Sequence, residues 1–446
     1  MLLLHLAWAQ PPAPTLPAAA PPTVPSYSAP AAADVLAEKS PLRLSLATRK
    51  GMVAWKGTGA VRAVSVPDSW TLYQSKADEQ VGLVRAAPDQ SCWLRQNGQN
   101  FCAVPALIRL ESDKPIKLWT PQPESWITVA APLLIIPTAD ATFNVVQELL
   151  LEEYLRQVVP GEMPQSFHPQ ALRAQAIIAR TYTLSKLGRH AADDADLCAS
   201  EHCQVYRALT TTRPTDDAVK ATRGMILLAD DKIAVPYYHA HCGGATDDAG
   251  YIWGPLFTRP YLVGGVDRAT PIGSAGLPID KILTLEDPFC KRAPSLRWTK
   301  TVASAELDAL VRTNLAKVTG DAGVKITHVT NLAIEERTLY GRASLLRVEG
   351  DGASHLVRGD QIRWLFGTGM PGPNGLWSTL FELTLARDAT GALTGITLNG
   401  TGRGHGIGLC QWGADGRAQA GQSFRQILQA YYPGLRLGDA KTIARR

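Results

Sequence analysis

The chain has 446 residues, more than the roughly 100 to 200 of one compact domain, so two or three units are expected. It is 45% hydrophobic and 19% charged, which excludes a chain that is disordered or fibrous throughout. A formal charge of +5 is small for this length and no basic run is interleaved with aromatics, which argues against nucleic acid as a partner.

The opening MLLLHLAWAQ sets Leu2, Leu3, Leu4 and Leu6 before Ala7-Trp8-Ala9, the small-x-small pattern of a signal-peptidase site. Residues 1–9 are therefore read as a signal peptide, although the stretch lacks basic residues and its apolar run is short. Export to the periplasm or cell envelope follows, and no later run reaches the roughly 18 apolar residues of a membrane helix. Residues 10–35, rich in Pro and Ala, bury too little to offset chain entropy and read as a disordered tether.

Residues 36–119 read as a β-rich accessory region, with strand-like runs at 42–47, 60–66 and 81–86 separated by turn residues. Cys92 and Cys102 flank an Asn97-Gly98 hairpin turn, and in an exported protein a disulfide across it is favoured over two free thiols.

Residues 120–436 form the main region, and 437–446 a tail. Extended apolar stretches at 126–137 and 143–151 lead into a helix at 152–159. A second helix runs from 170 to 186, with Pro169 suited to its first turn and Ala171, Ala174, Ile178 and Thr181 at helical spacing. Glu162 falls between the two, hemmed by Val159, Met163 and Pro164. Partial desolvation there raises a carboxyl's pKa, so that it can give a proton to a glycosidic oxygen at neutral pH. The alternative is a glutamate favoured only by the dipole of the following helix.

Further on come His190, Cys198, His202 and Cys203, then His239, His241 and Cys242. Thiolates and imidazoles bind zinc tetrahedrally, and Cys-x4-Cys is within the usual spacing, so His190, Cys198, Cys203 and Cys242 form a candidate structural zinc set. A Cys198–Cys203 disulfide and free thiols are the alternatives. Helices at 304–317 and 424–431 and strands at 326–334, 342–348 and 381–386 complete an α+β pattern. Near the end, His405 lies between Gly404 and Gly406, ahead of Gln411 and Trp412. Glycines let backbone approach a polymer closely, so that His405 and Gln411 project toward it; otherwise the segment is only a turn.

Three of these stretches resemble one known family. They are Tyr154-Leu155 through Val158-Val159 to Glu162-Met163-Pro164; Ala171-Leu172 through Gln175-Ala176 to Ala179-Arg180-Thr181-Tyr182; and Gly404-His405-Gly406-Ile407-Gly408 through Gln411-Trp412-Gly413-Ala414 to Tyr431-Tyr432-Pro433-Gly434. Together with Cys203-Gln204-Val205-Tyr206 and Cys242-Gly243-Gly244, they resemble the stage II sporulation protein D and amidase-enhancer family over roughly residues 120 to 436. The chain departs from the family pattern at Cys410, where Ser is usual, and at Arg207-Ala208, where Gly is more common.

The resemblance implies a mixed α/β glycan-binding core, with Glu162 as catalytic acid and Arg180, Tyr182, Gln204, Tyr206, Gly243, Gly244, His405, Gln411 and Trp412 as substrate contacts. It also implies zinc on Cys and His in some members, with no cofactor needed for catalysis. The expected reaction is lytic transglycosylation after N-acetylmuramic acid, where the sugar's own 6-hydroxyl is the nucleophile and one carboxyl suffices. The preferred substrate would be glycan strands stripped of stem peptides. The competing expectation is a non-catalytic, glycan-binding enhancer of an N-acetylmuramoyl-L-alanine amidase. A zinc amidase is disfavoured, because a Cys-rich ligand set is of the structural kind.

Overall fold

Alternating runs after Pro41 pair into antiparallel sheets. The computed structural model describes residues 27–439, apart from 67, 87–90, 105–106, 122–123, 270–275 and 368–375. The expected signal peptide and residues 10–26 of the expected tether lie outside the described residues. The fold is α+β with a β-rich N-terminal region, and it divides into two units.

The first unit comprises Leu42–Leu149 and Gly188–Ala199. Its seven-stranded sheet has the order Leu197–Cys198, Leu42–Lys50, Phe143–Leu149, Leu133–Pro137, Ile108–Glu111, Val61–Ser65, Thr71–Ser75. A six-stranded sheet has the order Glu124–Val129, Ile116–Pro121, Met52–Gly57, Val81–Ala86, Ser91–Gln96, Gln99–Val104. Burial at every second position, as at Leu42 and Leu44, Val81 and Leu83, and Ile108 and Leu110, gives these strands one core face.

Three expectations change here. The strands between 124 and 149, expected to open the main region, belong to the first unit, because Leu133–Pro137 is buried at every position and finds its pairing partners in that sheet. The hairpin at Asn97-Gly98 forms, with both residues at positive φ, but its register sets Cys92 opposite Val104 and Cys102 opposite Leu94. The two cysteines are therefore diagonal neighbours, roughly 7–8 Å apart where a disulfide needs Cβ atoms about 4 Å apart, and both are free. Finally, the tether ends early, since Ala32–Leu36 is helical and buries Val35 and Leu36.

The second unit holds Pro30–Pro41, Leu150–Leu187 and the chain from Ser200 onward. At its centre is the helix Pro169–Ser185, started by Pro169 and by the His168 ring, which accepts from Gln170 N. Its residues are buried almost all round, as a central helix requires. The helices Leu151–Glu162, Arg213–Ala221, Gln411–Gln419 and Phe424–Tyr431 pack against it. A second core lies where Leu307, Val311 and Leu315 of the helix Ser304–Thr319 meet Val302, Leu346, Val348, Ile396 and Leu398 of two three-stranded sheets. The expected tail is partly structured, because Arg436–Gly438 pairs with Ile226–Ala229. No described helix is long and apolar enough to cross a membrane.

One short pairing positions the site. Tyr238–His239 runs parallel to Leu409–Cys410, with Tyr238 opposite Leu409 and His239 opposite Cys410. The buried Arg342 braces this junction by donating to the carbonyls of Cys242 and Ala245, both at 3.0 Å. Gly243, at positive φ, has no room for a Cβ, which would meet Gly402 N at 2.6 Å.

Candidate active site

Glu162 is the last residue of its helix, which carries Pro160 in its final turn. Gly161 matters just before it, since a Cβ there would meet the Val205 carbonyl at 2.4 Å. The absent side chain lets the 205 segment close on the helix end, and Val205 N then donates to Glu162 Oε1 at 2.7 Å. The Tyr238 hydroxyl donates to the same oxygen at 2.9 Å, and Gln411 Nε2 donates to Oε2 at 3.3 Å. Burial raises the Glu162 pKa, while these three donors, which favour the carboxylate, oppose it. Burial and the adjacent Glu162 charge push the Tyr238 phenol well up, so it stays a neutral donor.

Behind this carboxyl lies a polar layer. The Tyr238 hydroxyl is also 3.2 Å from Gln204 Oε1, and the Gln204 amide donates to Thr183 Oγ1 at 2.8 Å and Tyr154 Oη at 3.3 Å. Tyr206 stacks on Tyr154 with centroids 5.8 Å apart and donates to Gln157 Oε1 at 2.9 Å. Gln204 and Tyr206 are thus buried supports of the Glu162 pocket rather than exposed contacts.

The other expected contacts divide. Arg180 is fully buried and forks onto Glu152, with Nε and Nη2 each 2.7 Å from a carboxylate oxygen, and it also donates to Met225 O at 3.1 Å. It clamps two helices together from a fully buried position. Tyr182 is buried against Tyr237 and Tyr238. Gly243 and Gly244 serve close packing of chain on chain. Half-buried His405 packs on Trp253 at 4.8 Å and His239 at 5.4 Å, and its Nδ1 accepts from Ile407 N at 3.0 Å. Burial pushes its pKa down to about 3, so the ring is neutral. Trp412 lies edge-on to Phe167 at 4.7 Å and keeps part of its surface open. Gln411 alone of the expected contacts touches Glu162 directly.

Of the expected zinc set, His190 and Cys198 lie in the first unit and Cys203 and Cys242 in the second. Cys242 is grouped with His239 and Cys410 instead. Sequence reasoning missed Tyr238, Val205 N and Cys290. The signal for Tyr238 was its place beside the His239–Gly244 motif; nothing local marks Cys290.

The site is a half-buried carboxyl at the end of a helix in an α+β unit, held toward its neutral form by burial and, to a lesser degree, by the charge of Glu201. Comparison with known proteins gives a domain match and several relatives. Residues 139–228 match the family profile described as Stage II sporulation protein, and residues 253–408 match one described as a domain of unknown function. The chain is 29% identical over 303 residues to the Amidase enhancer of Bacillus subtilis, covering 64% of this chain and 40% of that one. It is 26% identical over 349 residues to Stage II sporulation protein D of the same organism, covering 74% and 87%. An uncharacterized protein of Brachyspira hyodysenteriae is 29% identical over 317 residues, covering 69% and 71%. Residues 139–228 thus carry a stage II sporulation protein domain, and most of the chain is similar to proteins named Amidase enhancer and Stage II sporulation protein D.

Proposed function

We propose that this protein is exported and acts on peptidoglycan as a lytic transglycosylase, with Glu162 as its acid and base. The observation that carries this reading is the asymmetry of the carboxyl. Oε1 already takes two donors, Val205 N and Tyr238 Oη, whereas Oε2 has only the longer contact from Gln411. The proton therefore resides on Oε2, which protonates the glycosidic oxygen after N-acetylmuramic acid. Oε2 then accepts the proton of the sugar's 6-hydroxyl as that oxygen closes the 1,6-anhydro ring. The one Tyr238 proton has two acceptors, so it turns to Gln204 while Glu162 is neutral and to Glu162 once it is ionised. Glycan stripped of stem peptides is the proposed substrate, and the cell envelope the proposed location.

The test is to incubate the purified protein with intact and with amidase-treated peptidoglycan and to look for anhydro-muramyl ends by mass spectrometry. Their absence from both substrates overturns the reading. The name of the Bacillus subtilis relative favours a second reading, a glycan-binding stimulator of an amidase. In that case Glu162→Gln would stimulate a partner amidase as well as the wild type does.

A further inference from the structure

We propose that His239, Cys242, Cys290 and Cys410 form a structural zinc site inside the second unit, independent of the reaction proposed for Glu162. The four come from three distant parts of the chain, yet all are buried: His239 is 5% exposed and the three cysteines 0%. The ligand atoms of His239, Cys242 and Cys410 lie within 4.8 Å of one another, and Cys290 Sγ is 3.7 Å from Cys242 Sγ. Zinc with tetrahedral bonds of about 2.3 Å places two ligand sulfurs about 3.8 Å apart. A disulfide would require about 2.05 Å. The sulfur spacing is that of a metal edge.

The imidazole supplies the second observation. His239 Nδ1 is 3.1 Å from the Ile407 carbonyl, so its proton sits there and Nε2 carries the lone pair. That buried Nε2 has no hydrogen-bond partner among the described residues. A histidine fixed through one nitrogen to a main-chain carbonyl, with the other aimed at thiols, has the usual second contact of a metal ligand.

Main-chain N–H groups point at two of the sulfurs. Cys410, at the start of the Gln411 helix, accepts from Cys242 N and from Gly413 N, both at 3.2 Å, and Cys242 Sγ accepts from Gly244 N at 3.4 Å. On binding, three thiols release three protons to solvent and form three Zn–S bonds, leaving one net negative charge. Arg342, fully buried and donating to the Cys242 carbonyl, offsets it. Nearby Asp267 is paired with Arg417 Nη2 at 2.8 Å. Cys410, fully buried, completes the set.

The experiment uses the full chain purified without a metal-affinity tag. Elemental analysis should find zinc, and Cys290→Ser and Cys410→Ser should each lose about one equivalent that Cys198→Ser retains. As a check that does not depend on folded variants, wild-type protein is treated with alkylating reagent before and after a strong chelator. Cys242, Cys290 and Cys410 should be modified together only after chelation, and cobalt(II) should restore both their protection and a thiolate-to-cobalt charge-transfer band. The proposal fails if freshly purified protein carries a Cys242–Cys290 disulfide. It fails equally if all bound zinc survives in both serine variants, or if chelation leaves the three thiols protected.

Discussion

Tyr238 and Gln411 bond to a half-buried carboxyl, while their immediate neighbours His239 and Cys410 face a fully buried cluster of sulfur. Tyr238, His239 and Cys410 lie on two short strands in parallel register, and Gln411 opens the helix that follows Cys410. Successive residues of a strand point to opposite faces, so Tyr238 gives its donor to the carboxyl on one side while His239 faces the sulfurs on the other, and the turn into the helix brings Gln411 to the carboxyl side. The carboxyl side is satisfied by hydrogen bonds and open enough to meet a ligand. The sulfur side keeps an unpartnered nitrogen sealed from water. A short pairing can thus hold a reactive group in place from behind, and disturbing either face should show in the other only through this junction.

The largest expected effect separates chemistry from fold. Glu162→Gln should lower glycan cleavage about 10²- to 10⁴-fold while glycan binding persists. The pH dependence of its stability carries a sign that can be checked. Because the folded-state pKa of Glu162 is raised, the native state holds its proton longer than the unfolded chain does. Wild-type stability should therefore fall relative to the variant as pH rises from about 4.3, the ordinary glutamate value, to the raised folded value, and the difference should stay constant above it. Chemical denaturation at several pH values measures this; parallel curves for the two proteins would contradict the burial argument.

Next in size is Arg180→Met, which leaves the Glu152 carboxylate buried without its partner and should cost about 3–5 kcal/mol of stability. The site's chemistry should be spared in whatever fraction folds. A variant that is fully stable yet binds glycan poorly would restore Arg180 to the substrate side.

His405→Ala should cost about 1–2 kcal/mol through the lost packing on Trp253 and the lost bond to Ile407 N. Calorimetry beside a glycan pull-down decides whether the loss falls on the fold, as its packing implies, or on binding. The smallest effect is Tyr238→Phe, which removes a donor worth about 1 kcal/mol and should slow cleavage about fivefold. Because that donor favours the carboxylate, its removal raises the Glu162 pKa further, and the alkaline limb of the pH–rate profile should move to higher pH. An unmoved limb would mean that the hydroxyl acts on Gln204 alone.

The sequence by itself determined the local elements and singled out Glu162 as the candidate acid. Helical spacing and Pro169 predict a helix over 170–186, and the structure has Pro169–Ser185; the helix expected at 424–431 has those same bounds. The Asn97-Gly98 turn is likewise where its φ preferences put it. These features rest on contacts within a few residues, which pattern records. Only the tertiary structure decided what distant residues do. Arg180 meets Glu152 across two helices, Cys410 meets Cys242 from 168 positions away, and Tyr238 meets Glu162 from 76. Cys290 shows nothing in its own neighbourhood to mark it, and the motif around Arg180 cannot tell a clamp from a contact. Both are settled by burial, because a charged or soft side chain shut away from water must find its partner wherever the packed chain places one.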